Sequence, residues 1–152
     1  MKRHLALAFL LFVLTAVPFA AFGQEQKAAT SLETITTAQY DKMNKNNQIF
    51  VVVFGGSFCG PCRTAVEKLS PWLNDKFGKM ENVHVYYMDV METSVEKKNL
   101  LHNRLGVGRV PFFAVLSNNS LQWSESSFNK ENYFSLQDRI LGAVKKLGPI
   151  SK

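Results

Sequence analysis

The two cysteines of this chain stand three positions apart, in the motif Cys59-Gly60-Pro61-Cys62. Before them, the apolar run from Ile49 to Phe54 is typical of a buried strand, and a helical repeat of apolar residues follows. The motif therefore falls at the start of a predicted helix, where unpaired amides and the helix dipole favour a negative charge. We predict that this position lowers the pKa of the Cys59 thiol and makes its sulfur a nucleophile.

The spacing of the two cysteines permits thiol–disulfide exchange in two steps. Cys59 would attack a substrate disulfide, and Cys62, in the first helical turn, would resolve the mixed disulfide by intramolecular attack. Gly60 would leave the backbone room for close approach of a substrate. Pro61 would stiffen the first turn and set the distance between the two sulfurs.

Two other uses of the cysteines are weaker. A purely structural disulfide across so short a loop would restrict the unfolded chain little. A zinc ion would need four ligands, and beyond the N-terminal segment only His84 and His102 could join the cysteines, at a spacing that matches no zinc-finger pattern. We therefore expect no metal and no cofactor apart from the redox-active disulfide Cys59–Cys62.

The pattern of apolar residues predicts alternating strands and helices around this motif. Three apolar runs are predicted strands: Ile49–Phe54, Val83–Asp89 and Val110–Ser117. Further strands are predicted over 31–36 and 121–124, and helices over 37–46, 59–77, 94–105 and 129–147, with Thr37 and Asn129 as N-caps. The order β-α-β-α-β-α-β-β-α predicts an α/β fold with helices on both faces of the sheet.

The first residues of the chain have the pattern of a secretory signal peptide. A basic start, Met1 to His4, precedes the apolar run from Leu5 to Val17, which Pro18 ends. Ala21 and Gly23 are the small residues of a cleavage site, so we predict a cut after Gly23. The alternative is an uncleaved membrane anchor, but the apolar stretch is at the lower limit of length for a membrane span.

Length and composition favour one globular domain after that signal. The chain has 152 residues, of which 46% are apolar, and a formal net charge of +6. These values exclude a disordered chain and a disulfide-stapled mini-protein. We predict a signal peptide at 1–23, a flexible leader at 24–30 and a domain at 31–152. Loss of the signal removes two positive charges and leaves +4, without a block of basic and aromatic residues, so we expect no nucleic-acid binding.

With these motifs the chain resembles the thioredoxin family over about residues 31–147. Phe58 precedes Cys-Gly-Pro-Cys where the family has an aromatic residue, and the sequence from Leu105 to Pro111 is similar to the family's glycine-containing approach to its cis-proline. The resemblance implies a thioredoxin fold, with a central mixed β-sheet flanked by helices on both faces. It also implies a cis Val110–Pro111 bond that faces the cysteines, with the Val110 backbone pairing with the substrate.

Three positions depart from the family's pattern. The usual tryptophan before the first cysteine is Phe58, which keeps an apolar flank but loses the indole N–H. The family's buried acid aligns with Val53, and the lysine that accompanies the acid aligns with Val85. Loss of both is physically coherent, because either charge alone would be costly to bury. It leaves open how Cys62 is deprotonated for the resolving step.

The resemblance, together with the signal-peptide pattern, implies an exported thiol–disulfide oxidoreductase that acts on protein disulfides through Cys59 and Cys62. The Gly-Pro pair between the cysteines is similar to that of reducing thioredoxins, so we expect a reductase in the periplasm or outside the cell, re-reduced by a membrane thiol donor. We expect a monomer. The alternatives are a partner-binding module of thioredoxin fold with secondary redox activity, or a disulfide oxidase or isomerase.

Overall fold

A computed structural model of the protein describes residues 32–43, 47–91, 98–129 and 131–148. The predicted signal peptide and leader lie outside the described residues. The elements follow in the predicted order: β1 (Glu33–Thr34), α1 (Thr37–Met43), β2 (Ile49–Gly55), α2 (Gly60–Phe77), β3 (Val83–Asp89), a π-helical segment (Asn99–Arg104), β4 (Phe112–Ser117), β5 (Ser120–Glu125) and α3 (Tyr133–Lys146). No helix in the described ranges has the length and apolarity needed to cross a membrane.

The five strands form one mixed sheet in the order β1-β3-β2-β4-β5. Strand β3 runs parallel to β1 and β2, whereas β4 runs antiparallel to β2 and β5. All seven residues of the central strand β2 are buried. This burial explains its unbroken apolar sequence, because a strand covered on both faces has no solvent side for polar residues.

Side chains on the two faces of β2 belong to two separate apolar clusters. Val51 and Val53 pack with inward residues of α2 and α3, among them Leu69, Leu73, Phe77, Leu136, Ile140 and Val144. Phe50, Val52 and Phe54 pack on the opposite face with Tyr40 of α1 and with Leu100, Leu101 and Leu105. Each fully buried Leu or Phe contributes about 1.5–3 kcal/mol to folding. The fold is therefore the predicted one, a mixed β-sheet with helices on both faces.

The N-cap of α1 is Thr36, so the prediction of Thr37 was wrong by one residue. The Thr36 hydroxyl oxygen accepts the backbone N–H of Gln39 at 3.2 Å. In return, Gln39 Oε1 accepts the backbone N–H of Thr36 at 2.8 Å. This reciprocal pair is a capping box, which requires Gln or Glu three residues after the cap. Only Thr36, of the two neighbouring threonines, has Gln39 at that distance.

Helix α3 begins later than predicted, because its N-cap is Asn132 and not Asn129. The backbone N–H of Asn132 donates to Asn129 Oδ1 at 2.7 Å, and the backbone N–H of Asn129 donates to Asn132 Oδ1 at 2.9 Å. Asn129 therefore closes the turn before the helix. The two asparagines are both suitable caps by residue type, and the helical spacing of the apolar residues does not distinguish them.

Further elements differ in extent from the sequence prediction. Among the described residues, β1 spans only Glu33–Thr34 of the predicted 31–36, and β5 extends one residue beyond the predicted 121–124 at each end. Strand β4 begins at Phe112, two residues after the predicted start at Val110. Pro111 has no N–H to donate to a neighbouring strand, so it precedes the ladder. The third predicted helix is described from Lys98 onward as the π-helical segment, in which the Leu105 N–H donates to the Leu100 carbonyl, five residues back, at 3.0 Å.

Candidate active site

Cys59 and Cys62 form a disulfide at the start of α2. Their Cα atoms are 5.2 Å apart, within the range usual for disulfides. The disulfide follows strand β2, which ends at Gly55, and α2 begins at Gly60. The buried strand and the helix that packs on it thus hold the pair at the carboxyl-terminal end of the central strand β2.

Cys59 occupies the N-cap position of α2, with an extended backbone at φ −89° and ψ 102°. Its Sγ accepts the backbone N–H of Cys62 at 3.2 Å, as the side-chain oxygen of a capping residue would. In the reduced protein we expect a Cys59 thiolate to accept the same N–H, at the positive end of the helix dipole. Both effects favour the thiolate over the thiol.

The two cysteines differ in their access to solvent. Cys59 is 9% exposed, whereas Cys62 is 1% exposed. An incoming sulfur can therefore approach Cys59 from outside, but Cys62 is covered. Pro61 is exposed beside them, and a Cβ on Gly60 would contact nothing within 4 Å. No contact within the described residues requires glycine at position 60, so its small size leaves open space on the outer side of the disulfide.

The ring of Phe58 lies at the surface beside the disulfide, with 66% of the residue exposed. A Cβ on Gly56 would be 2.5 Å from Cε1 of this ring, so the ring occupies the space that a side chain at 56 would need. Gly56 is a residue beside the cysteine motif that the sequence analysis did not single out. The adjacent pair Gly55-Gly56 before an aromatic residue was its available signal.

Tyr87 lies near Cys62, and it is a second residue that sequence reasoning missed. A Cβ on Gly55 would be 2.8 Å from the Tyr87 hydroxyl oxygen and 2.9 Å from the Cys62 Cβ. The hydroxyl and Cys62 therefore flank the same small space. Burial raises the pKa of Tyr87 above its ordinary value, and the negative charge of Asp89 raises it further.

The positions of the family's acid and lysine lie close to that space but carry no charge. Val53 is fully buried, and Val85 is half-buried against the same apolar cluster. In the parallel register of β2 and β3, Val53 pairs with Tyr87. The Tyr87 hydroxyl beside Gly55 thus comes from the neighbouring strand β3.

The Val110–Pro111 peptide bond is cis. Phe54 pairs with Phe112 in the register of β2 and β4. Pro111, one residue before Phe112, therefore lies beside the end of β2 at which Gly55 stands. Val110 is half-buried, and within the described residues no backbone hydrogen bond uses its amide or carbonyl. The backbone before the proline therefore has an unused donor and acceptor near the disulfide.

The sequence profile of the thioredoxin family matches residues 31–138. The chain belongs to the thioredoxin family. Among curated proteins, no sequence matches this thioredoxin-family member. Its family and the disulfide in its Cys-x-x-Cys motif indicate thiol–disulfide redox chemistry in general terms.

Solved structures of other thioredoxins have the same fold as this thioredoxin-family member. Spinach chloroplast thioredoxin f, in its long form, is 20% identical with a TM-score of 0.57, over 76% of this chain and 88% of that one. A Malassezia sympodialis thioredoxin is 18% identical with a TM-score of 0.58, over 74% and 90%. Oxidised thioredoxin O2 of Arabidopsis thaliana is 18% identical with a TM-score of 0.55, over 73% and 95%.

The two histidines considered as metal ligands lie away from the cysteines of this thioredoxin-family member. His84 is at the start of β3, where Gln48 is its hydrogen-bond partner and its ring lies 5.5 Å from that of Phe50. His102 is exposed on the π-helical segment. In the described part of the chain, no three His, Cys, Asp or Glu side chains are grouped so that they could hold a metal ion.

Proposed function

We propose that this protein is an exported thiol–disulfide oxidoreductase that reduces disulfides in other proteins. The observation that carries the proposal is the unequal exposure of the two cysteines at a helix N-terminus. Cys59 is reachable and has its Sγ on a backbone N–H, so it is the nucleophile. Cys62 is covered and one turn away, so it is the resolving cysteine.

In the first step the Cys59 thiolate attacks one sulfur of a substrate disulfide. The substrate S–S bond breaks, and its other sulfur leaves as a thiolate that takes a proton from water. In the second step the Cys62 thiol loses its proton and attacks the Cys59 Sγ of the mixed disulfide. The Cys59–Cys62 bond forms, the bond to the substrate breaks, and two electrons have passed from the protein dithiol to the substrate.

The backbone before Pro111 supports a role in binding extended substrate segments. The amide and carbonyl of Val110 make no backbone hydrogen bond among the described residues, so a peptide beside the disulfide can pair with them as a short strand. The exposed Phe58 ring supplies an apolar contact next to the same place. Backbone pairing is largely independent of side-chain identity, which suits an enzyme that acts on several proteins.

The direction of electron flow and the location are proposed from the sequence. Gly60 and Pro61 separate the cysteines as in reducing thioredoxins, whose potential is about −270 mV against about −120 mV for a strong periplasmic oxidant. The N-terminal segment has the signal-peptide pattern, which supports export to the periplasm or the medium. In an oxidising compartment the Cys59–Cys62 disulfide must be re-reduced, and we propose a membrane thiol protein as the donor.

The test of the enzyme is insulin reduction by the purified protein with dithiothreitol, combined with a redox titration of Cys59–Cys62. We expect insulin precipitation to accelerate, no acceleration by Cys59→Ser, and a potential near that of reducing thioredoxins. Equal activity of the parent and Cys59→Ser would contradict the enzyme and favour the partner-binding module. A potential near −120 mV would instead favour an oxidase. Export is tested separately by sequencing the secreted protein, whose first residue should be Gln24.

A further inference from the structure

The resolving cysteine lies in surroundings that disfavour a thiolate. Cys62 is 1% exposed and belongs to the buried apolar residues of the protein. Burial away from water penalises the charged form of a thiol. Yet Cys62 must be a thiolate when it attacks the mixed disulfide, because the thiol is a poor nucleophile.

The hydroxyl of Tyr87 comes close to Cys62 from strand β3 of the sheet. The Tyr87 hydroxyl oxygen and the Cys62 Cβ lie 2.8 Å and 2.9 Å from the position that a Cβ on Gly55 would occupy. Because residue 55 is glycine, no side chain of that residue separates Tyr87 from Cys62 at that point. Among the residues that the structure describes, the Tyr87 hydroxyl has no hydrogen-bond partner in the disulfide form.

The state of the phenol suits a hydrogen-bond donor better than a base. Burial raises the pKa of Tyr87, and Asp89 on the same strand is the charged group that adds to this shift. The residues of β2 beside it, Val53 and Gly55, are uncharged, and Cys62 is the titratable group that faces it from α2. The hydroxyl therefore keeps its proton near neutral pH and can direct it at a nearby sulfur.

We propose that Tyr87 donates a hydrogen bond to the Cys62 thiolate and so promotes the resolving step. This deepens, and rests on, the redox function proposed above. In the mixed disulfide the Cys62 thiol releases its proton to water, and the Tyr87 O–H then donates to the thiolate while keeping its own proton. The thiolate attacks the Cys59 Sγ, the Cys59–Cys62 bond forms, and the substrate sulfur leaves as a thiolate and is protonated by water.

The proposal explains how the protein functions with valine at both positions of the family's acid and lysine. Tyr87 pairs with Val53 in the β2–β3 register, so its hydroxyl enters the same side of the sheet from the next strand. A neutral phenol can lie in an apolar setting at much lower cost than an unpaired carboxylate. Hydrogen bonds to an ionised group are also about twice as strong as those between neutral groups.

The test compares Tyr87→Phe with Tyr86→Phe, both of which remove a single hydroxyl. Tyr86 is the adjacent control, since its side chain belongs to the opposite face of the sheet and its hydroxyl donates to Met43 Sδ. The reduced protein is mixed with a disulfide dye that releases one coloured thiol when Cys59 attacks and a second when Cys62 resolves. The two rates are followed by stopped flow from pH 5.5 to 9.5.

For Tyr87→Phe we expect resolution about tenfold slower at pH 7, with its pH midpoint raised by about one unit, as for the loss of a hydrogen bond to a charged group. Attack by Cys59 should keep its rate and pH profile. An unchanged resolution profile would overturn the proposal. So would an equal slowing of both steps, or the same change in Tyr86→Phe, because either would show a structural effect only.

A second variant keeps the proposal falsifiable if Tyr87→Phe folds poorly. Fluorotyrosine placed at position 87 keeps the ring and hydroxyl and makes the phenol a stronger donor, so the resolution midpoint should fall below that of the parent. A midpoint at or above the parent value would overturn the proposal. The dye assay is also independent of insulin reduction. A protein that resolves its mixed disulfide with the dye but does not reduce insulin would contradict the proposed substrate class, and the role proposed for Tyr87 would stand.

Discussion

The Phe58 ring occupies the space above Gly56, with Cε1 only 2.5 Å from the position of a Cβ there. A methyl group at 56 must displace this ring. Because Phe58 is 66% exposed, the ring can swing into solvent at little cost. We predict that Gly56→Ala changes the free energy of unfolding by less than about 1 kcal/mol, as measured by denaturant titration, while it slows reduction of insulin several-fold.

The control for Gly56→Ala is a substrate that does not need the aromatic surface. Reduction of a small disulfide dye requires only access to Cys59, so the variant should reduce the dye at the parent rate. A stability loss above about 3 kcal/mol would show that position 56 is confined by more than a mobile ring. Equal slowing with both substrates would indicate damage to the disulfide itself.

Gly55→Ala should be far more damaging than Gly56→Ala. The added Cβ would lie 2.9 Å from the Cys62 Cβ and 2.8 Å from the Tyr87 hydroxyl oxygen, and Gly55 itself is buried at the end of β2. The Cys62 Cβ is attached directly to the helix backbone, so relief requires α2 to move. We predict a loss of about 1–3 kcal/mol in the free energy of unfolding, measured on the oxidised proteins.

Gly60→Ala provides the matched comparison for Gly55→Ala. A Cβ on Gly60 would contact nothing within 4 Å, and residue 60 is the first residue of α2. The variant should therefore be as stable as the parent or slightly more stable, because alanine favours a helix over glycine. Equal destabilisation by the two substitutions would show that the contacts at Gly55 do not determine the cost.

The sheet and its helices were predictable because buried segments have characteristic patterns of apolar residues in the sequence. Strand β2 is covered on both faces, so Ile49 to Phe54 is an unbroken apolar run. Helix α2 carries Pro61 in its first turn and is followed by Gly78, both common terminal signals. The Cys-x-x-Cys motif was predicted at the junction of these elements, and the Cys59–Cys62 disulfide lies there.

The features that were missed depend on register and on competition between similar residues. The Tyr87 hydroxyl and the Cys62 Cβ both lie beside Gly55 of β2. No local pattern in the sequence fixes which residue of β3 stands beside Val53. The N-cap of α1 was predicted wrongly for another reason. Thr36 and Thr37 are equally suitable by type, and the side-chain bonds of Gln39 decide between them.

The burial of His84 predicts a pH dependence of stability. Burial lowers the pKa of His84 below its ordinary value, and the charge of Glu33 opposes this shift in part. The unfolded chain therefore binds a proton more readily, so stability is full above the unfolded pKa of about 6.5 and is lost as the pH falls below it. We predict that the free energy of unfolding falls between pH 7.5 and 5.5, and that His84→Gln reduces this fall.

The control for His84→Gln is His102→Gln on the π-helical segment, where the side chain is exposed. That substitution should leave the slope of stability against pH as it is in the parent. If His84→Gln kept the parent slope, or if both substitutions reduced it equally, the burial of the His84 ring would not be its cause.

The unequal exposure of the cysteines predicts which of them carries a trapped substrate. Without a resolving thiol, the mixed disulfide on Cys59 cannot be released by intramolecular attack, so Cys62→Ser should accumulate covalent complexes with exported proteins. Cys59→Ser should form few, because its remaining thiol is 1% exposed. Non-reducing gels and mass spectrometry of the cross-linked peptides measure both variants. Complexes of equal amount in the two, or attached through Cys62, would reverse the assigned roles, because the covered sulfur would then be the one that substrates reach.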